Sequence, residues 1–511
     1  MPEQKILVIT AKEADVFVNK YVGGSGIPAR VHTCDSNVAA LLTPETILDE
    51  LSNLDLKEIS LILLPGMIKG DVSIISRKLG IPCFKGTKNA CDLEFLLPMI
   101  SNRRIKLSTK DPADEVLAEE KRKHILKEIK EAYRVKKYTL KIGNKNPVYL
   151  GTEISHVVAE IPDAPLLSER ELRKFAKYYV NSGANIVDIG MIANEDYSEM
   201  ISGMIEILRK TVGAPLSIDT LNENEILSAV ESGIDLILSI DETNYGVCDS
   251  INVPAVIIPR DKNENIPENA EDRIFLIEKI IRKLRNSEFD KVIVDPILGV
   301  PNLAFAESIS AYIKFRKKHP RIPVLIGAGN VTEMIDTDSI GINALIAAIA
   351  SELSVDLIFT TEASRKTKGS VGELARAVKM MYLSKKHKQP PKDLGIDLLY
   401  MKDKRDLKVI KDPREKGIKT VIVRKERESD LEDTEFRIYL TNRINVIYYK
   451  NKKPRIKFIG NSATAIYKEI ISKNLIKNLD HAAYLGMELA RVEIALKLGK
   501  NYVQDEDLFN K

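Results

Sequence analysis

The chain has 511 residues, of which 44% are hydrophobic, and its 77 lysines and arginines nearly balance its 73 aspartates and glutamates. This length predicts about three domains, and the near-neutral charge gives no reason to expect a nucleic-acid partner. No apolar run approaches the roughly 18 residues that span a bilayer and the amino terminus lacks a signal-peptide pattern, so we expect a soluble, cytoplasmic protein with no membrane partner.

Residues 1–110 are predicted to form a small parallel α/β domain with a flavodoxin-like layout. Apolar strand-type runs at residues 5–10 and 59–66 alternate with helical segments, and one helix is expected to start at Thr43-Pro44, since proline favours the first helical turn. Such alternation indicates a parallel sheet. Residues 111–146 follow as a charged linker helix with interleaved glutamates and lysines.

From residue 147 onward a strand, a loop and a helix alternate eight times. The predicted strands end near Gly151, Ile189, Asp219, Ser239, Ile258, Asp295, Gly327 and Thr360. The strand interiors are continuously apolar, as in a sheet that is buried on both faces. Eight such units in about 240 residues predict a (β/α)8 TIM barrel over residues 147–388.

The last region, residues 394–511, is predicted to be an α+β domain. Runs at residues 420–427, 435–442 and 445–460 alternate in polarity and are rich in Tyr and Ile, which is typical of antiparallel strands. Two helices are expected, at residues 464–474 and 480–499. The whole chain is therefore predicted to be an α/β protein with a central barrel between two smaller domains.

Candidate site residues lie where the barrel strands end, because the active sites of TIM barrels form on the loops that follow the strands. Three aspartates (Asp188, Asp219 and Asp295) and one amide, Asn330, are expected to converge on one mouth. Further strand-end residues are Glu153, Ser155, Ser239, Asp241, Thr361 and Glu362. Because no His, Cys or Lys ends a predicted strand, a covalent nucleophile is not expected.

Carboxylates and an amide at a barrel mouth suit a neutral heterocycle with both donors and acceptors. An aspartate can accept two hydrogen bonds from an amidine-like edge, and an asparagine can donate to a carbonyl or ring nitrogen. A guanine-like or pterin-like ring presents such an edge. The alternative for Asp219 is that it caps the helix that follows, since Thr220 and Asn222 come next.

The loop after the last barrel strand is basic and precedes a helix start. Its predicted anion-binding residues are Arg365, Lys366, Lys368 and Ser370, because loops after strands 7 and 8 of TIM barrels often hold a phosphate on a helix amino terminus. A merely solvated basic loop is the alternative. The four cysteines form no CxxC pair and no zinc-type spacing, so free thiols and no metal site are expected.

Several segments resemble the pterin-binding barrel superfamily, which includes dihydropteroate synthase and pterin-binding methyltransferases. These segments are GANIVDIG (183–190), APLSIDT (214–220), SGIDLILS (232–239), VIVDPILG (292–299) and IGAGNVTEM (326–334). They cover roughly residues 147–385 in the right order. The three-part layout is similar to that of archaeal dihydropteroate-synthase-related proteins.

The resemblance implies roles for the mouth residues. Asp219 and Asp295 would hold the amino-pyrimidine edge of the pterin, and Asp188 would support the mouth. Asn330 would lie near the reacting N5/C6 side and, with Asp295, carry the catalytic roles. Ser239 falls at or next to the strand-4 position where the family usually has an asparagine.

The chain also departs from the synthases. It lacks their strand-1 diphosphate loop, their strand-7 lysine and their strand-8 Arg-x-His. The expected function is one-carbon (methyl) transfer involving a reduced pterin of the tetrahydromethanopterin or tetrahydrofolate type. A corrinoid or other acceptor protein is an expected partner, and a homodimer is common in the superfamily. The alternatives are dihydropteroate-type condensation, with Mg²⁺ and the basic loop binding diphosphate, and a pterin-binding subunit without turnover.

Overall fold

The structure is a computed structural model that describes residues 5–102, 105–134, 137–401, 436–476, 478–506 and 508–509. The chain forms two compact units. One comprises Met1–Lys137 with Tyr382–Asp397, and the other comprises Tyr138–Met381 with Leu398–Lys511. Within the described ranges, no helix combines the length and the apolar character that crossing a membrane requires.

The first unit is built on a sheet of four parallel strands in the order β2-β1-β3-β4. The strands are β1 (Lys5–Ala11), β2 (Ala29–Cys34), β3 (Ile59–Leu64) and β4 (Cys83–Lys85). The helices are α1 (Asp15–Gly24), α2 (Pro44–Leu51), α3 (Ser73–Leu79), α4 (Leu93–Ser101) and α5 (Asp114–Ala132). This strand order is that of flavodoxin-like sheets, so the predicted parallel layout is confirmed.

Local sequence explains where these elements begin. Thr43 caps α2 because its side chain accepts a hydrogen bond from the Thr46 N–H, and Pro44 occupies the first helical turn. Six of the seven residues of β1 are buried, as expected for a strand covered by helices on both faces.

The second unit contains a barrel of eight parallel strands, in the order β12-β11-β10-β9-β8-β7-β14-β13. The strands are β7 (His156–Ile161), β8 (Ile186–Gly190), β9 (Leu216–Asp219), β10 (Leu236–Ile240), β11 (Ala255–Ile257), β12 (Val292–Val294), β13 (Leu325–Gly327) and β14 (Leu357–Thr361). The ring closes where Val294 bridges Val324 and donates its N–H to the Pro323 oxygen, 2.9 Å away. The predicted barrel is therefore confirmed.

Helices follow most barrel strands. They are α6 (Glu169–Ser182), α7 (Ser198–Thr211), α8 (Glu223–Glu231), α9 (Ala270–Asn286), α10 (Phe305–Lys318), α11 (Gly329–Thr332), α12 (Ser339–Glu352) and α13 (Ser370–His387). In α6, Ser168 and Glu171 form a capping box, and Leu172, Ala176 and Tyr179 are buried. This spacing presents one apolar stripe to the barrel.

The prediction of the first barrel strand is wrong. Residues 148–150, expected to be the first barrel strand, form β6 (Val148–Leu150), which pairs in antiparallel fashion with β5 (Leu140–Ile142). This hairpin closes the amino end of the barrel, where the Gly151 N–H donates to the Asp356 Oδ1 at 2.5 Å, just before β14. Its residues Ile142, Val148 and Leu150 pack among buried residues of the barrel interior.

The true first strand is β7, which begins five residues after the predicted one ends. Glu153 and Ser155 therefore lie at the amino end of the barrel and not at its mouth. Both runs are short, apolar and of strand type, so local pattern does not distinguish a barrel strand from a closing hairpin.

The carboxyl-terminal region of the second unit has an antiparallel sheet, β15-β16-β17. Its elements are β15 (Phe436–Leu440), β16 (Ile444–Lys450), β17 (Lys453–Gly460), α14 (Ala463–Ser472) and α15 (Leu479–Leu498). One face of the sheet packs on both helices through residues such as Phe436, Val446 and Leu489. This confirms the predicted α+β class, while the strand predicted at residues 420–427 lies outside the described residues.

Candidate functional site

Four carboxyl side chains lie at the carboxyl ends of barrel strands. Glu160 is the penultimate residue of β7, Asp188 lies in β8, Asp219 ends β9, and Asp295 follows β12 directly. In the parallel register Glu160 stands beside Asp188, and Asp219 stands beside Gly190. The structure brings the three predicted aspartates to one mouth and adds Glu160.

Glu160 is poised to exchange a proton near neutral pH. Burial raises the pKa of its carboxyl to about 7, and the neighbouring Asp219 adds to this rise. Gly190 leaves room for the side chain, because a Cβ there would lie 2.5 Å from the Glu160 Oε1. A carboxyl of this kind can act as a general acid or base at physiological pH.

Asp188 is the most deeply placed of the four. It is fully buried, and its Oδ1 accepts a 2.6 Å hydrogen bond from the Ser217 hydroxyl. Its Oδ2 has no hydrogen-bond partner in the described part of the chain. Burial, followed by the charges of Asp219 and Glu160, raises the pKa of Asp188 well above its usual range. A buried polar atom without a protein partner points to a water, an ion or a ligand as its partner.

Asp219 is half-buried and oriented by Ser239. The Ser239 hydroxyl donates to the Asp219 Oδ1 at 2.6 Å, and Ser239 has a φ of 71°, a left-handed conformation that serine rarely adopts. Burial raises the pKa of Asp219 while this hydrogen bond opposes the rise. The cap of α8 is Asn222, whose side chain accepts from the Asn224 N–H at 2.9 Å, so Asp219 is not the helix cap.

Asp295 is also half-buried and has two donors of its own. The Tyr312 hydroxyl, from α10, and the Ile297 N–H, at 2.8 Å, both donate to its Oδ1. Burial raises the pKa of Asp295 to about 6, and these two hydrogen bonds oppose the rise. Asp295 is therefore oriented by both the loop that follows β12 and the next helix.

A buried arginine holds the loop that carries Asp295. Arg273, from α9, donates to the Pro296 oxygen at 3.1 Å and to the Ile297 oxygen. Ile297 has a φ of 63°, which is unfavourable for a β-branched residue. The surrounding contacts maintain this strained turn, as is common near functional sites.

Asn330 is exposed at the start of the loop that follows β13. It lies in α11, and its Nδ2 donates to the Leu298 oxygen at 2.8 Å. This contact joins the strand-7 loop to the strand-6 loop that begins at Asp295. The two residues predicted to be catalytic therefore lie on adjacent, hydrogen-bonded loops.

The four predicted anion-binding residues do not converge on one open site. Ser370 is fully buried beside Asn343, and the Lys366 ammonium lies 3.0 Å from Asp336. Arg365 and Lys368 are exposed, and Arg365 donates to the Asn501 side chain. An anion site on this loop stays a prediction that rests on these two cations.

Two other predicted strand-end residues, Asp241 and Glu362, bind other groups of the protein. Asp241 is buried and forms an ion pair with Arg260 at 2.8 Å. Glu362 accepts from the Val371 N–H at 3.1 Å, in the first turn of α13. Both have protein partners that order the barrel's rim.

Sequence reasoning missed Glu160, Tyr312 and Arg273. Glu160 was missed because the first strand was misplaced, and the correct strand, HVVAEI, would have pointed to it. Tyr312 and Arg273 lie in helices, 17 and 22 residues from Asp295, and no spacing motif connects them to it. Their roles become visible only when helix packing is known.

The mouth presents carboxyl groups that can bind a polar, hydrogen-bonding ring. None of the eight described barrel strands ends in His, Lys or Cys. Half-buried carboxyls with raised pKa values can accept hydrogen bonds when ionised and donate one when protonated. This donor and acceptor set fits the amino-pyrimidine edge of a pterin-like heterocycle.

Comparison with known families assigns three successive regions of the chain. Residues 164–362 match the family described as Pterin binding enzyme. Residues 4–88 match a family of unknown function (DUF6513), and residues 430–505 match the family PterinBD-DUF4346.

Solved structures match about half of the chain, and a relative matches nearly all of it. The Yersinia pestis DHPS with a pterine-sulfa conjugate is 14% identical, covers 48% of this chain and 100% of its own, and has a TM-score of 0.39. The 7,8-dihydropteroate synthase from Vibrio fischeri is 20% identical, covers 49% and 99%, and has a TM-score of 0.38. An uncharacterized protein of Methanocaldococcus jannaschii is 38% identical over 531 residues that cover 99% of each chain. This chain therefore belongs to the same family as the Methanocaldococcus protein, and its barrel is a domain of the pterin-binding enzyme superfamily.

Proposed function

We propose that the barrel mouth binds a reduced pterin, of the tetrahydromethanopterin or tetrahydrofolate type, and transfers a one-carbon unit to or from it. The observation that carries the proposal is the pair Asp219 and Asp295. Both are half-buried at strand ends, and each is oriented by its own hydroxyl donor, Ser239 and Tyr312. Two oriented carboxyls match an amidine-like edge that offers N–H and NH₂ donors.

Asp188 would complete the recognition of the ring. Its Oδ2 is a buried polar atom without a protein partner in the described residues, and burying it unpaired costs about 1–3 kcal/mol. A ring atom or an ordered water that forms a hydrogen bond with this oxygen would recover that cost. The carboxyl accepts such a bond when it is ionised and donates one when it is protonated, so it favours ligands with a hydrogen-bonding group at this depth.

The chain's own part in the reaction is to position the ring and manage a proton. A reduced pterin carries its one-carbon unit on a ring nitrogen, and such a unit leaves more easily when that nitrogen gains a proton or hydrogen bond. Glu160 and Asp295, whose pKa values are raised to about 7 and about 6, can hold that proton near neutral pH. Asn330, on the adjacent loop, would supply the hydrogen bond.

The acceptor in this proposal is a corrinoid protein or a thiol. No His, Lys or Cys ends a described barrel strand, so the one-carbon unit would pass directly to the acceptor and not through a covalent enzyme intermediate. A homodimer stays a prediction.

Dihydropteroate-type condensation is the second candidate, and the strand-8 loop makes it less favourable. That reaction needs an open anion site for a leaving diphosphate, whereas Lys366 is paired with Asp336 and Ser370 is buried. The two reactions differ in their products. Pyrophosphate release that requires Mg²⁺ and an aminobenzoate-type amine would support condensation, and methyl-pterin consumption that requires a corrinoid acceptor would support transfer.

Asn330→Ala tests the catalytic role within the methyl-transfer proposal. Loss of a hydrogen bond made mainly in the transition state should lower kcat about 10- to 100-fold while the pterin Kd changes by less than about threefold. Single-turnover kinetics with a methyl-pterin and a corrinoid acceptor measure this. Asn286→Ala, at the end of α9 on the surface, is the control. Equal kcat values for Asn330→Ala and the control would contradict the catalytic role of Asn330. If wild type and both variants bind the pterin tightly but show no turnover, the chain is a non-catalytic pterin-binding subunit.

A further inference from the structure

Three side chains with metal-ligand chemistry meet in the first unit, outside the barrel. His32 and Cys34 lie two residues apart in β2, which places their side chains on the same face of the strand. Glu50 reaches them from α2, and its Oε2 lies 3.2 Å from the His32 Nε2. One ligand atom from each of the three residues lies within 4.8 Å of the other two.

These separations suit a single ion. Zinc binds Cys sulfur at about 2.3 Å and His nitrogen or carboxylate oxygen at about 2.0–2.2 Å, so ligand atoms of one tetrahedral ion lie roughly 3–4 Å apart. Small side-chain rotations would bring all three within that range. The chain has only six histidines and four cysteines in 511 residues, so the convergence of one of each beside a carboxylate is notable.

A backbone hydrogen bond orients the Glu50 carboxylate for metal binding. Its Oε1 accepts a 3.0 Å hydrogen bond from the Asp35 N–H, which orients the carboxylate and directs Oε2 toward His32. Such outer contacts position ligands at metal sites.

The site is reachable from solvent on one side. The Cys34 side chain is fully buried, whereas those of His32 and Glu50 are 20% and 30% exposed. An ion could therefore enter past His32 and Glu50 and retain a water as its fourth ligand. Three protein ligands with one exchangeable position are typical of zinc sites that bind a further ligand.

We propose that His32, Cys34 and Glu50 form a binding site for a divalent transition-metal ion, with Zn²⁺ favoured by the mixed sulfur, nitrogen and oxygen ligands. The site goes beyond the proposed barrel function and lies in the amino-terminal region. On binding, a Cys34 sulfur–metal bond forms as the thiol proton leaves to solvent, so one proton is released per ion.

Cobalt substitution of the full-length, tag-free protein tests the site. Wild-type chain, first treated with chelator, should bind about one Co²⁺ per chain and show a thiolate-to-cobalt charge-transfer absorption. Cys34→Ser should remove this absorption, whereas Cys83→Ser, which changes another buried thiol of the same unit, should retain it. Zn²⁺ should displace the cobalt.

Circular dichroism shows whether Cys34→Ser folds. If it does not fold, Glu50→Gln is the second variant that tests the site. It retains the thiol and should weaken Co²⁺ affinity at least 10-fold with the charge-transfer absorption still present at saturation. The proposal is overturned if wild type shows no such absorption, if Cys34→Ser retains it, or if Glu50→Gln binds as tightly as wild type.

Discussion

At the residue scale, Glu160 shows how burial turns an ordinary carboxyl into a group that titrates near neutral pH. Its pKa is raised to about 7 in the folded chain, against about 4.3 in an unfolded chain. The folded state therefore binds this proton more tightly than the unfolded state does. It follows that Glu160 lowers the stability of the fold progressively as pH rises from about 4 to about 8.

Glu160→Gln should relieve this pH-dependent loss. The glutamine cannot ionise, so the variant should be more stable than wild type by on the order of 3 kcal/mol at pH 8 and nearly equal to it at pH 4. Urea unfolding at the two pH values measures the difference. Glu231→Gln, on the exposed end of α8, is the control. If the free energy of unfolding changes between pH 4 and pH 8 by the same amount in Glu160→Gln as in wild type, the raised pKa of Glu160 is refuted.

Residue-level prediction from sequence worked where a strand end was recognised and failed elsewhere. Asp188, Asp219 and Asp295 could be found because each ends or lies within an apolar run that is followed by a turn. Tyr312 could not, because its contact with Asp295 depends on how α10 packs against the loop after β12. Helix-to-loop contacts of this kind leave no periodic signal in the sequence.

At the element scale, the β5–β6 hairpin is a structural plug of the barrel's amino end. Leu150 is fully buried in the same cluster as Val158, Leu236 and Leu325. The barrel interior at this end is therefore filled partly by residues that precede the barrel strands. This arrangement shields the interior from water at the end opposite the carboxyl cluster.

Leu150→Ala should destabilise the second unit by about 2–4 kcal/mol, because it leaves a cavity in a closely packed interior. Leu166→Ala provides the matched control, since Leu166 is 68% exposed on the loop after β7 and should change stability by less than about 0.5 kcal/mol. Chemical denaturation measures both. A cost below 1 kcal/mol for Leu150→Ala would show that the hairpin is not packed into the barrel as described.

The same hairpin explains the one misplaced strand. The runs VYL and HVVAEI are both apolar and lie close together in sequence, so either could be the first barrel strand. Only pairing resolves the choice, since β7 has partners on both sides, β8 and β14, whereas β6 pairs with β5. Pairing partners distant in sequence are a tertiary property, and local pattern does not encode them.

At the scale of the whole molecule, the chain crosses between its two units more than once. Residues 382–397, which follow the barrel, belong to the first unit. There Lys386 and His387 lie 3.0 and 3.1 Å from the Glu128 carboxylate of α5. These ion pairs join residues more than 250 positions apart, so the return of the chain to the first unit was not predictable from local composition.

The carboxyl-terminal region contacts the rim of the barrel within the second unit. Arg365, on the loop after β14, donates to the Asn501 side chain. The region that matches PterinBD-DUF4346 is thus in contact with a loop at the barrel mouth. The sequence predicted both regions but gave no sign of this contact.

The proposed function requires that Asp219 and its neighbours bind a reduced pterin at the barrel mouth. Isothermal titration calorimetry of the full-length protein with a tetrahydropterin tests it most directly. Asp219→Asn should bind the pterin about 10- to 100-fold more weakly than wild type, because it loses charge-assisted hydrogen bonds. The control is Asp290→Asn, which changes an exposed residue just before β12 at the opposite end of the barrel and should bind as tightly as wild type. Absence of binding to wild type, or equal affinity of Asp219→Asn and wild type, would contradict the account.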